Sequence, residues 1–537
     1  MKLDKDEFFL GFDLSTQTLK AAIIDNNGDI VCEASVDPEL DLPQYETIRG
    51  HYEDGDHVTT PLVMWLDALE MVLERIQIHF PDFRKIKALS GGTQQCGSMY
   101  WKHGANEALQ HLNSDETLSK QIKPFLAEQN ASIWLDSSSR KFCEELCREF
   151  GVDYLLDTTG YVPTLGLAGP RVYRTAKTKR DVFENTERIS MLSSFIASAF
   201  LGRLAPTDYQ DGVTMMFFDR RNLDWSREIC DRIDPELYHK LGPVTESSSI
   251  IGEISPYFVN KFKFDSKCKI VAWTGDNAGS IVGSLICDDD IFLTLGTGDC
   301  LEFLSKPMPK VSKRGGFFFI DPLDATKFAR AIGWKNADFA RDRVRKQMGF
   351  ETWEDFENAV KSRPVGNEGY MGVYFFEPDV MPLFAHGVVR ESPNREAVDD
   401  PFEPAIECRA IIESQMLNRR YDAENLGLHL TSDTRLLLTG GPSRSETIQQ
   451  VAADVFGVPV YGMDTVNACS YGGALRAKYA IENRKSIDRE LSQRKWKLLK
   501  EPCEKNVSIY AKMMQRYEKM AEPLVPPYFG ESSCPSS

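Results

Sequence analysis

The chain has 537 residues, of which 42% are hydrophobic and 27% charged, with a formal net charge of −17. A chain of that length exceeds what one hydrophobic core usually supports, so two large domains are expected, and the composition is globular rather than disordered or membrane-embedded. The acidic balance excludes a general nucleic-acid binder, which needs clustered Lys and Arg, yet leaves room for a nucleotide held by backbone dipoles and a divalent cation.

In chain order, the N-terminus "MKLDKDEFFLGF" has no long apolar region or cleavage site, and no later stretch reaches 18 apolar residues. A cytoplasmic protein that does not enter the membrane is predicted. "FFLGF" and "KAAIID" read as strands joined by a tight tip inside "GFDLSTQTLK", which carries Asp13, Ser15 and Thr16. Hydroxyls and backbone N–H groups there suit phosphate oxygens, and the acid suits Mg²⁺ or one of its waters. A plain polar hairpin turn is the other reading. Lys20 on the second strand either reaches phosphate or is a solvated surface group. "IVCEASV" continues the strands, "PLVMWLDALEMVLERIQIHF" has apolar residues at helical spacing, and "IKALSGG" is a further strand, an α/β pattern.

From about 115 to 250 the chain is more helical, with "SKQIKPFLAEQ", "SRKFCEELCREFG" and "ERISMLSSFIASAFLG" as expected helices. Twelve cysteines are scattered singly except for Cys143 and Cys147, and none forms a paired CxxC zinc pattern, so reduced thiols are expected. "KIVAWTGDNAGSIVGSL" reads as strand, turn and helix, with Asp276 and Asn277 in the turn. Asp276 is there either an N-cap or a functional carboxylate. "DIFLTLGTGDCLEFL" is again strand, tip and strand, with Gly296, Thr297, Gly298 and Asp299 at the tip. It echoes the opening hairpin and supports a phosphate role for both. Strands "GGFFFIDP" and "GYMGVYFF", a long helix near 404–425, strand "TRLLLTGG" and helix "SETIQQVAADVFG" follow. "TGGPSRS" between the last two is either a plain strand-to-helix turn capped by Ser443 or Ser445, or a place where backbone approaches a ring or phosphate. The final fifty residues predict one or two helices and a disordered tail.

Two hairpin loops, one per half, followed by a strand-Gly-Gly-helix element, resemble the actin, Hsp70 and sugar-kinase architecture. The order of motifs is similar to the FGGY family of carbohydrate kinases, with its closest likeness to the branch acting on D-xylulose. The likeness runs over roughly 7 to 480 and rests on "PLVMWLDALEMVLERI", "ALSGGTQQCGSMYWK", "WLDSSSR", "TERISMLSSFIASAFLG", "TDYQDG", "VAWTGDNAGSIVG", "LTLGTGD" and "AADVFGVPVYGMDT". It implies two actin/Hsp70-like (ribonuclease H-like) α/β domains around a nucleotide and sugar cleft. The expected segments are 1–285 for the sugar-binding kinase domain, 286–485 for the nucleotide-binding domain, and 486–537 for a helical extension and tail.

The activity so implied is ATP- and Mg²⁺-dependent phosphorylation of D-xylulose to D-xylulose 5-phosphate, by a monomer or homodimer. Asp276 would be the general base and Asp13 would lie near the metal. Ser15, Thr16, Gly296 and Thr297 would face phosphates, while Trp353, Gly440, Gly441 and Ser445 would surround the nucleoside. Cys96, Gly166, Asp276 and Asn277 would line the sugar, and Asp136, Asp208 and Asp211 are further cleft candidates with turn or cap roles as alternatives. Cys96 in "QQCG" stands where the similar kinases carry His, and Gly166 in "TTGYVPTLGLAG" where they carry Arg. Arg171 and Arg174 in "RVYR" are candidate replacement donors. These departures keep open a kinase for another ketose or polyol, and a non-catalytic ATP-binding relative.

Overall fold

The computed structural model describes residues 7–306, 317–382, 384–463 and 467–526. The end of the expected tail, 527–537, and the first two residues of "GGFFFIDP" lie outside the described residues. Two compact units form. One holds the described residues up to 285 together with 320–325 and 467–487, and the other holds the remainder.

In the first unit, Phe8–Leu14, Leu19–Ile24 and Ile30–Val36 form an antiparallel meander. Ile86–Thr93 lies parallel to Phe8–Leu14 on its other side, and Lys269–Val271 lies parallel to Ile86–Thr93. Helix Leu62–His79 buries Leu62, Trp65, Leu66, Leu69, Val72, Leu73 and Ile76, the stripe expected from its spacing. A second sheet joins Tyr52–Asp54, His57–Pro61, Asn130–Ser132, Ser98–Lys102 and Thr186–Met191.

The second unit repeats this plan. Asp290–Thr294, Asp299–Ser305 and Phe328–Trp334 form the meander, while Arg435–Thr439 and then Val460–Gly462 run parallel on the other side of Asp290–Thr294. Each sheet therefore reads 3-2-1-4-5, and the hairpins at 14–19 and 294–299 join equivalent strands. Helix Pro404–Asn425 runs buried through this unit, and its charges are paired in place: Arg390 with Glu407 at 2.6 Å and Arg409 with Glu413 at 2.6 Å.

Helix Ala468–Glu482 belongs to the first unit and packs on Phe8–Leu14 and on helix Asp276–Gly283. The contact is close enough that a Cβ on Gly472 would lie 2.0 Å from the Gly279 carbonyl oxygen, and one on Gly11 would lie 2.0 Å from that of Ser470.

Three elements correct the expectations. "ERISMLSSFIASAFLG" is not one helix: Thr186–Met191 is a strand paired with Ser98–Lys102, and the helix begins at Leu192. Its partner strand is remote in sequence, and ladder pairing overrides local helical character. "SKQIKPFLAEQ" is helical only over Leu118–Ile122 before a tighter turn at Lys123–Phe125, because Pro124 offers no N–H. Helix Ala168–Thr178 was hidden by Gly169 and Pro170, which sit in its first turn, where proline is tolerated.

Candidate active site

Asp13 is the penultimate residue of its strand, paired across the hairpin with Lys20. Lys20 Nζ stands 3.4 Å from Asp13 Oδ2, while Oδ1 is buried with no hydrogen-bond partner. Burial raises this carboxyl above its ordinary value against the pull of Lys20. A buried, orphaned carboxylate oxygen at a hairpin tip fits a divalent cation, and Mg²⁺ typically takes only one or two protein carboxylates beside phosphate and water. No group of three or more His, Cys, Asp or Glu poised to hold a metal occurs among the described residues. At the tip, Ser15 N and Oγ donate to the Thr18 carbonyl at 3.0 and 2.9 Å, and Trp134 Nε1 donates to Thr16 Oγ1 at 3.1 Å.

Asp276 opens helix Asp276–Gly283 directly after Thr274–Gly275, which pairs with the end of Ile86–Thr93. The cap is Gly275, so Asp276 does not serve as the N-cap. Its Oδ1 accepts from Asn277 N at 2.9 Å. Burial pushes the Asp276 carboxyl up to about 7, and the negative charge of Asp13 adds to this; backbone donors at Asn277 and Gln95 oppose it. Asn277 Nδ2 donates to Gln95 Oε1 at 2.6 Å.

Next to Gln95, Cys96 is buried with φ of 62°, the left-handed region that a non-glycine residue rarely occupies. Burial pushes its thiol up to about 11. Gly166 is half-buried, and a Cβ there would meet only the Trp134 carbonyl, at 3.8 Å. The charges acting on the Cys96 thiol include Arg171, Asp211 and Asp276, and those on Asp276 include Asp13. The fold thus gathers Asp13, Cys96, Asp276 and Asn277, with Gly166 tied to Cys96 through Arg171.

Asp136 is fully buried, with Oδ1 accepting from Ser138 N at 2.9 Å and Oδ2 without a partner. Asp208 caps helix Tyr209–Thr214, and its other oxygen accepts from Ser247 at 2.5 Å. Asp211 is bonded by Ser193 and is pushed well above the carboxylate range by burial and then by Asp208. Arg174 donates to Ser138 and stands 3.8 Å from Asp136. Gln95, Cys469 and Arg476 were not anticipated. Each sits beside a predicted residue only because distant segments meet there.

In the second unit, Gly296 N donates to Asp299 Oδ1 at 3.2 Å, and Thr297 is exposed at the tip. Asp299 is buried between Arg419 at 2.8 Å and Arg341 at 3.4 Å. The two hairpins therefore differ chemically: the first leaves a carboxylate oxygen open, and the second neutralises its acid with two guanidinium groups. Gly440 has φ of 93°, and a Cβ on it would lie 1.9 Å from the Leu295 carbonyl oxygen. Nothing lies within 4 Å of a Cβ at Gly441, so that position suits the close approach of a flat group.

Ser445 caps helix Glu446–Phe456 by accepting from Ile448 N at 3.2 Å, and its hydroxyl donates to Glu357 Oε2 at 2.5 Å. Burial works to raise the Glu357 carboxyl, yet hydrogen bonds from Ser445 and Thr447 leave it lowered. Glu357 lies one turn beyond Trp353 on helix Trp353–Lys361. Trp353 is 45% exposed, packs edge-on against Phe356, and has the Arg345 guanidinium 5.3 Å from its ring centre. Trp353, Gly440, Gly441, Ser445, Gly296 and Thr297 thus occur on neighbouring elements of one unit.

Two sheets of one strand order, each with a hairpin at the same place, define the actin/Hsp70-like fold that carbohydrate kinases share. The crystal structure of xylulose kinase from Rhodospirillum rubrum matches with a TM-score of 0.78 over 96% of this chain and 99% of that one, at 14% identity. The N-terminal domain of the FGGY family of carbohydrate kinases matches residues 117–283, and the C-terminal domain matches 292–481. Xylulose kinase of Rattus norvegicus is 36% identical over 476 residues, 88% of each chain. Xylulose kinase 2 of Arabidopsis thaliana is 32% identical over 494 residues, covering 89% of this chain and 88% of its own. The chain belongs to the FGGY family of carbohydrate kinases. Among the described residues no helix is long and apolar enough to cross a membrane.

Proposed function

We propose that the protein is a cytoplasmic kinase that transfers the γ-phosphoryl group of ATP to the terminal hydroxyl of D-xylulose, giving D-xylulose 5-phosphate and ADP. The observation that carries this reading is the placement of the Asp276 carboxylate in the first turn of its helix, beside Asn277 and Gln95 and near Asp13. A base poised near neutral pH suits removal of a proton from a hydroxyl as it bonds to phosphorus. Identity of 36% to a curated xylulose kinase supports D-xylulose as the sugar.

In this mechanism Asp276 accepts the hydroxyl proton while the sugar oxygen bonds to the γ-phosphorus and the bond to the bridging oxygen breaks. Asn277, with Cys96 and the loop at Gly166, orients the sugar. Asp13 would hold Mg²⁺ or one of its waters. The cation when bound neutralises charge on the transferring phosphoryl group, a large part of what such a reaction requires. Ser15, Thr16 and the backbone around Gly296 and Thr297 would donate to phosphate oxygens. Trp353, Gly440, Gly441 and Ser445 would take the nucleoside. Among the described residues Cys32, Cys96, Cys230, Cys268, Cys287, Cys300, Cys408, Cys469 and Cys503 are free thiols, in keeping with a reducing compartment.

Coupled ADP release with MgATP and D-xylulose, L-xylulose, D-ribulose, glycerol and xylitol tests this. Preference for D-xylulose supports the reading, preference for another sugar reassigns the substrate, and ATP binding without turnover on any sugar overturns it. Light scattering on the same preparation separates monomer from homodimer, the two expected assemblies.

A further inference from the structure

Arg171, on helix Ala168–Thr178, is 1% exposed. Its guanidinium donates to the carbonyl of Cys96 at 2.5 Å and that of Leu165 at 2.9 Å, with the carbonyls of Gly166 and Asp136 at 3.5 Å. No carboxylate oxygen stands within 4.0 Å of it among the described residues, the Asp136 charge acts on it only from farther off, and its Nε has no hydrogen-bond partner. A fully buried cation satisfied only by main-chain carbonyls is an expensive choice for holding a loop, because a neutral amide or an apolar side chain avoids the desolvation of a full charge. What a guanidinium provides instead is a planar fork of five donors that can reach several acceptors at once.

The acceptors come from three separate segments. These are the turn carrying Gln95 and Cys96, the 134–138 loop carrying Asp136, and the 161–167 loop carrying Gly166. One of them is strained: Cys96 sits in the left-handed region, and the bond from Arg171 to its carbonyl fixes that peptide. Cys96 and Gly166, the two positions where the family resemblance implies a His and an Arg, each present a carbonyl to this one side chain.

We propose that Arg171 is a positioning residue for the sugar pocket, a buried clamp that pins the Cys96, Asp136 and Gly166 loops in their sugar-competent arrangement before substrate arrives. This rests on the sugar-kinase reading above. Arg171 does not itself reach the sugar, because its Nη atoms are turned toward the loop backbones and it is enclosed. The clamp substitutes preorganisation for side-chain donors, lowering the ordering cost of binding a polyol.

The test combines Arg171→Gln, Arg171→Lys and Arg171→Ala with steady-state kinetics. Arg171→Gln is expected to raise KM for D-xylulose at least tenfold while KM for ATP stays within twofold. Arg171→Lys should fail to restore it, since a single ammonium cannot span three loops. Millimolar guanidinium should lower the sugar KM of Arg171→Ala several-fold without affecting the wild type. A sugar KM that is unchanged, or that worsens in step with KM for ATP and with melting temperature, would overturn the clamp. If the variants do not fold, amide hydrogen exchange over 161–167 in the wild type decides. Equal protection with and without D-xylulose supports the proposal, and protection gained only with sugar overturns it. Absence of wild-type turnover on every sugar would instead fail the kinase reading, so the two failures are distinguishable.

Discussion

Ser445 Oγ donates to the Glu357 carboxylate at 2.5 Å, tying the loop after Arg435–Thr439 to the helix that begins at Trp353. Glu357 also accepts from Thr447, and Lys361 lies 3.3 Å away. Hydrogen bonds to a charged group contribute roughly 1.5 to 3 kcal/mol each. Glu357→Ala should therefore release Trp353 from the glycine loop and raise KM for ATP about tenfold or more. Sugar KM measured at saturating ATP should stay near the wild-type value.

Asp276→Asn keeps the shape and hydrogen bonds of the side chain but cannot accept a proton. Turnover should fall by about 10²- to 10⁴-fold, the usual contribution of a positioned base. ATP affinity, read by calorimetry, should be retained. Retained turnover would remove Asp276 from the mechanism.

The raised carboxyl also sets pH dependence. With Asp276 at about 7 in the folded protein, kcat/KM at low substrate should fall about tenfold per unit as pH drops below about 7, because the base becomes protonated. Stability runs the other way. A carboxyl raised above its unfolded value favours the fold while protonated, and that contribution is lost between about pH 4 and about pH 7. Asp276→Asn should therefore melt higher than wild type at pH 8, and the difference should vanish near pH 4.

Gly440→Ala places a methyl group 1.9 Å from the Leu295 carbonyl oxygen at a φ of 93°. The backbone must shift, at a cost of order 1 to 3 kcal/mol. A lower melting temperature together with a raised KM for ATP is the expected outcome. Gly441→Ala, which has open space around its Cβ, serves as the control for stability.

Gly166→Arg has room for its Cβ, which would meet only the Trp134 carbonyl at 3.8 Å. A charged donor placed on that loop should lower KM for D-xylulose by about tenfold if it reaches a sugar hydroxyl. Kinetics of this single variant with and without Arg171→Gln would also show whether the two effects add.

Features written in short stretches were legible in the sequence. Asp13 and Asp276 follow apolar strands, Gly440 follows another, and the helical stripe of Leu62–His79 is continuous in the chain. Features made by tertiary meeting were not. Gln95 and Asn277 are 182 residues apart, and Arg419 reaches Asp299 across 120. No local pattern announces either pair. Ser445 was legible both as a cap and as a site candidate, but Glu357, its acceptor, looked like any exposed acid on an amphipathic helix. Arg171 was noticed only for being near Gly166. Its use as a bridge between backbones depends on the buried first turn at Gly169 and Pro170, which read locally as loop.

The packing of Ala468–Glu482 against Phe8–Leu14 has a consequence for biosynthesis. Strand Phe8–Leu14 is covered by a helix made more than four hundred residues later, and the approach at Gly11 leaves no space for a substitute side chain. Nascent chains must therefore keep the face of that sheet around Gly11 and Phe12 uncovered until Ala468–Glu482 has been made. Early fragments ending near residue 285 should be chaperone-dependent and aggregation-prone, and adding a peptide spanning 467–487 in trans should rescue their solubility.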